Sequence, residues 1–133
     1  MKKLILTVTA GFCINLLFSQ TPGELANAQL EAYNNRDIDA FVEPYSDSVK
    51  VFNDKRELLY QGKETMRAQY GNMFARTPDL NCNLLNRIAV NNTVIEHEEV
   101  TFGEGRKIYA IVIYKVAKGK IQEVHFLDRQ EAK

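Results

Sequence analysis

The sequence predicts an α+β domain in which three helices pack on one face of a strongly curved, mainly antiparallel sheet. Two observations carry this expectation. Apolar residues recur at helical spacing in three segments before residue 77, and from Leu80 onward the apolar period changes to two. The alternating segments are separated by Asn91-Asn92, Gly103-Glu104-Gly105 and Lys118-Gly119, residue types that close hairpins. Helices gathered towards the front and a strand meander behind give layers that bury each other's apolar faces.

The elements follow in order. Thr21-Pro22-Gly23-Glu24 reads as a capping box with proline at the first helical position, where a missing N–H costs nothing. Leu25, Ala28, Ala32 and Tyr33 then mark one helix face. Asn34-Asn35-Arg36 breaks that helix, and Asp37 caps a short second one carrying Ile38, Phe41, Val42 and Tyr45. Val49, Val51 and Phe52 suggest a strand, and Leu58-Leu59-Tyr60 a second. Between Lys63 and Arg76 the residues Met66, Tyr70, Met73 and Phe74 form a single apolar stripe, and Thr77-Pro78 ends the helix. Four strands are expected over Leu80–Val90, Val94–Phe102, Lys107–Val116 and Ile121–Leu127.

Residues 1–20, MKKLILTVTAGFCINLLFSQ, read as a secretory signal peptide: two lysines, fifteen uncharged and mostly apolar residues, then the small Ser19. Fifteen is short of the ~20 residues a spanning helix needs. Cleavage after Ser19 or Gln20 is expected, although Leu17 fits the small-residue rule poorly and an uncleaved anchor stays open. The mature unit, residues 21–133, is then a single exported domain, periplasmic or secreted. It keeps one cysteine, Cys82, so an internal disulfide is impossible and the core must hold the fold.

The chain carries seventeen basic and seventeen acidic residues, and setting aside Lys2 and Lys3 leaves fifteen against seventeen. Such a balance gives no electrostatic reason to expect nucleic acid, or a membrane surface once the leader is gone. Metal and cofactor motifs are missing too. Only His97 and His125 exist, with no ligand spacing, and the glycines at 103 and 105 precede a strand where a phosphate loop would precede a helix.

Four stretches carry a family resemblance: AYNNRDIDAFVEPYSDSVKVF (32–52), QGKETMRAQYGNMF (61–74), NRIAVNNTVIEHEEV (86–100) and KGKIQEVHF (118–126). Together they make residues 21–133 resemble the SnoaL-like branch of the nuclear transport factor 2-like superfamily, whose relatives include ketosteroid isomerases, polyketide cyclases and limonene epoxide hydrolase. The resemblance implies a cone whose open end holds a mainly apolar pocket. It also implies positions for the isomerase groups. The base aspartate falls on Asn53, the oxyanion tyrosine on Gln29, the protonated aspartate on Val112 and the supporting tyrosine on Tyr70. Three of the four groups are thus absent, and steroid isomerisation by that chemistry is not expected.

Tyr33, Tyr45, Met66, Tyr70, Phe74 and Phe126 are candidates for the pocket wall, with ordinary core as the alternative for each. On the VIEHEEVTF segment, Ile95, His97, Glu99 and Thr101 share one face, which in the isomerases points into the pocket. On that facing, His97 and Glu99 would place an imidazole and a carboxylate inside the cone, able to contact a ligand or carry protons. With Glu96 and Glu98 on the other face, a solvated strand is the competing reading. The expected ligand site therefore comprises Tyr33, Asn53, Met66, Tyr70, Phe74, His97, Glu99, Val112 and Phe126, for a small apolar or amphipathic molecule and no cofactor. The alternative is an isomerase, cyclase or hydratase using His97 and Glu99 as acid–base groups. Arg87 reads as a surface salt bridge or edge charge or, alternatively, as an anion contact at the rim. The row Tyr109, Ile111, Ile113 on the opposite sheet face suggests a homodimer.

Overall fold

The computed structural model describes residues 19–131; the leader reading falls almost wholly on residues outside that span. The elements run α1 (Pro22–Asn35), α2 (Ile38–Val42), β1 (Tyr45–Phe52), β2 (Leu58–Gln61), α3 (Lys63–Arg76), β3 (Asn81–Val90), β4 (Thr93–Phe102), β5 (Arg106–Ala117) and β6 (Lys120–Glu131). No helix among the described residues is long and apolar enough to cross a membrane.

Local chemistry sets the boundaries. The Thr21 Oγ1 accepts from the Glu24 amide at 3.2 Å while the Thr21 amide donates to Glu24 Oε2 at 2.7 Å, so the capping box closes in both directions. Asp37 Oδ1 accepts from the Ala40 amide at 3.0 Å and starts α2. That helix stops at Val42, and Tyr45, expected on its apolar stripe, instead opens β1. Pro44 is the cause: it offers no N–H to a continuing helix. At the β5–β6 hairpin Lys118 and Gly119 both take positive φ (54° and 71°), the backbone that a tight two-residue turn requires.

The six strands form one sheet in the order β2-β1-β6-β5-β4-β3. The β1–β6 pair is parallel and all others are antiparallel. Extra residues interrupt the pairing at Leu59 of β2, Leu85 of β3, and Gln122 and Leu127 of β6. Each extra residue bends its strand and increases its twist, which curls the sheet around the helices. The core lies in that hollow. Leu25 of α1, Phe41 of α2, Met66 of α3 and Val49, Val94, Val112 and Ile121 of the sheet are essentially inaccessible. Tyr33, Phe41, Tyr70 and Phe74 pack as an aromatic cluster with centroids 4.4–6.2 Å apart.

Candidate functional site

The helices do not fill the wide end of the curled sheet. A cavity of about 420 Å³ remains there, open to solvent on one side. Its wall comes from Leu30 and Tyr33 of α1, Phe41 of α2, Met66, Tyr70 and Met73 of α3, Tyr60 of β2 and Phe126 of β6. Its polar side chains are Gln29 of α1, Gln69 of α3, and Tyr45, Cys82, Glu98, Tyr114 and Arg129 of the sheet, besides the hydroxyls of the wall residues Tyr33, Tyr60 and Tyr70.

The facing of β4 decides which carboxylates enter. Glu98 pairs with Ala110 and Glu96 with Val112, and all four side chains are buried. His97 and Glu99 stand on the opposite face. His97 is exposed and tilts its ring against Tyr109. Glu99 accepts from Lys107 Nζ and Tyr109 Oη, both at 3.1 Å, and the lysine contact chiefly holds its carboxyl below the usual carboxylate range. The expectation that His97 and Glu99 enter the cone is therefore corrected: one residue of parity carries them outside. The signal was present in the sequence. Val94, Val100 and Phe102 lie at the even positions of this strand, against Ile95 alone at the odd ones.

A hydrogen-bonded chain crosses the cavity floor. Tyr45 Oη donates to Gln29 Oε1 at 3.1 Å, Gln29 Nε2 donates to Tyr114 Oη at 3.3 Å, and Tyr114 Oη donates to Glu98 Oε1 at 3.3 Å. Burial, reinforced by hydrogen bonding and charge from Glu96, pushes the Glu98 carboxyl up to about 8, against smaller contrary effects of Tyr114 and Cys82. Burial also raises the Tyr114, Tyr45 and Cys82 protons well out of the neutral range. Glu98 is thus a mainly neutral carboxyl at pH 7, beside hydroxyls that stay protonated.

Glu96 is handled differently. It is fully buried, and Arg87 Nε donates to its Oε1 at 2.7 Å with Nη2 2.6 Å from the same oxygen. Its Oε2 accepts from no fixed donor among the described residues. Arg87 reaches Glu96 because Leu85 is the extra residue of β3. The bulge turns Arg87 onto the same face as Cys82, where unbroken alternation had placed it opposite. It is an inward ion pair, neither a surface charge nor a rim contact.

Of the remaining expected site residues, Tyr33, Met66, Tyr70 and Phe126 line the cavity. Phe74 and Val112 are core residues behind the lining. Asn53 lies outside the cavity in the turn after β1, where its Oδ1 accepts from the Lys55 and Glu57 amides at 3.0 and 2.9 Å. His125 is on the outer face, 2.7 Å from Glu123 and stacked on Phe52. Among the described residues no three His, Cys, Asp or Glu side chains converge as a metal site would require.

A curled sheet closed by three helices over a hollow end, with a polar chain on its floor, defines a cone domain of the nuclear transport factor 2-like type. The SnoaL-like domain family model matches residues 26–124, and the chain belongs to that family. No curated protein matches it. Among solved structures, it is similar to an uncharacterised cystatin-fold protein from Novosphingobium aromaticivorans (25% identity, TM-score 0.75, covering 82% of this chain and 99% of that one). It is also similar to a putative ketosteroid isomerase from Kribbella flavida (20%, TM-score 0.65, 82% and 77%). A third is an epoxide hydrolase from Mycobacterium tuberculosis resembling limonene epoxide hydrolase (17%, TM-score 0.66, 77% and 79%). At these last two identities the likeness is one of fold.

Proposed function

We propose that the cone cavity binds a small apolar or amphipathic molecule. One observation carries this reading: a 420 Å³ hollow walled mainly by aromatic and aliphatic side chains, with a single carboxyl and a single guanidinium among them. Gln29, Tyr114 and the neutral Glu98 carboxyl orient a single polar group of the ligand. The test is fluorescence titration with N-phenyl-1-naphthylamine, an uncharged apolar dye. Saturable binding that Ala110→Phe abolishes, in a protein with unchanged circular dichroism, supports the reading; an inert wild-type protein overturns it.

A second reading is favoured by Glu98 itself. A carboxyl poised near neutrality beside an apolar cavity suits proton transfer in an isomerase, cyclase or hydratase. On this reading the acid–base group is Glu98, in place of His97 and Glu99. A turnover rate that depends on pH near 8, and is lost in Glu98→Gln, would distinguish an enzyme from a binding protein.

We further propose that residues 1–20 direct export and that two copies pair through the outer sheet face. That face exposes Tyr109 and Ile111 beside Ile88 and Val90 of β3. N-terminal sequencing of protein recovered outside the cytoplasm tests the first, and sedimentation of Ile111→Asp the second.

A further inference from the structure

The floor of the cavity carries a second charged group, and its placement specifies the ligand's chemistry. Cross-strand register puts Glu98 of β4, Ala110 of β5 and Arg129 of β6 in one row on the inner face. Two strand spacings separate the outer pair, about 10 Å between backbones, and only the methyl of Ala110 stands between them. The gap opens into the cavity, which all three residues line. Arg129 is exposed at the edge of the lining, and its guanidinium lies 4.0 Å above the Phe126 ring. Among the described residues no carboxylate lies within ion-pairing reach of it. Glu131, the next inward carboxylate on the strand, is exposed and outside the lining.

Among the described residues, Arg129 and Glu98 are the only Asp, Glu, Lys, Arg or His side chains in the lining. With the Glu98 carboxyl held neutral by burial, the cavity presents one unpartnered cation at the edge of an apolar hollow. A neutral apolar ligand would leave that cation unused. A monoanionic one would seat its apolar body against Met66, Phe126 and Tyr70 and its charged group above Ala110.

Building on the binding reading above, we propose that the ligand is a monoanionic amphipathic molecule, its head group held by Arg129 in the gap over Ala110. A guanidinium fork suits a carboxylate or sulfonate, and a charge-assisted hydrogen bond is stronger than a neutral one. Glu98, whose Oε1 accepts from Tyr114 Oη, lies on the far side of the gap and can donate to a head-group oxygen once it carries its proton.

Two dyes sharing one ring system test this: 8-anilinonaphthalene-1-sulfonate, which is anionic, and N-phenyl-1-naphthylamine, which is not. Each is titrated into the wild-type protein and into Arg129→Gln, Arg129→Lys and Ala110→Phe. The expected result is a roughly tenfold weaker sulfonate dye in Arg129→Gln, equivalent to about 1.4 kcal/mol, with the neutral dye changed less than twofold. Arg129→Lys keeps most of the sulfonate affinity, and Ala110→Phe weakens both dyes. Equal sulfonate affinity in wild type and Arg129→Gln overturns the proposal while leaving cavity binding intact. Sulfonate binding that survives Ala110→Phe places the anion elsewhere and overturns it as well. If neither dye binds the wild-type protein, the binding reading itself fails.

Discussion

Replacing Glu98 by glutamine should change how stability depends on pH, and the size of the change follows from the site. Burial and the neighbouring Glu96 raise the folded-state value from the ordinary 4.5 to about 8. Between those two values the folded protein holds a proton that the unfolded chain has released. Stability from this group is therefore complete below pH 4.5, falls as pH rises, and is gone above pH 8. Each tenfold in proton affinity is worth about 1.4 kcal/mol, so the whole window spans on the order of 5 kcal/mol. Between pH 5.5 and 7.5 the slope is close to one proton, on the order of 2 to 3 kcal/mol. Tyr114, Tyr45 and Cys82, which face Glu98, stay protonated throughout, and Gln29 does not titrate. Urea denaturation at pH 5.5, 6.5 and 7.5 should show wild type losing on the order of 2 to 3 kcal/mol more than Glu98→Gln. Parallel losses in the two proteins would refute the buried neutral carboxyl.

Other outcomes follow from the same geometry. Arg87→Ala leaves the fully buried Glu96 without its counter-charge and should cost about 3 kcal/mol by urea denaturation; adding Glu96→Gln should restore most of it, and a loss below about 1 kcal/mol would speak against a buried charge. His97→Ala, on the exposed outer face, should leave neutral-dye affinity within twofold; a larger loss would return His97 to the site. Thr21→Ala opens the capping box of α1 and should lower stability by about 1 kcal/mol, readable as a shift in the urea midpoint with an unchanged slope.

Element identity was legible because it depends on short-range pattern. The capping box at Thr21, the apolar stripe of Met66, Tyr70, Met73 and Phe74, and the turns at Asn91-Asn92 and Lys118-Gly119 all act within a few residues, and each stands where its chemistry places it. The wall residues Tyr33, Met66, Tyr70 and Phe126 were also readable, since large apolar side chains at regular spacing turn towards a hollow. The polar floor was not. Gln29, Tyr45 and Tyr114 come from α1, β1 and β5, far apart in the chain, and no local motif announces their hydrogen bonds.

The sequence alone determined the order of helices and strands, the family, and the crowding of ionisable groups on one strand at residues 96–99. Only the tertiary structure decided which of those groups meets the cavity. A strand's side chains alternate faces, so a shift of a single residue exchanges Glu96 and Glu98 for His97 and Glu99. One extra residue at Leu85 likewise turned Arg87 inward. Such choices rest on pairing across strands and on what the helices cover, and both are fixed only when the sheet closes on its core.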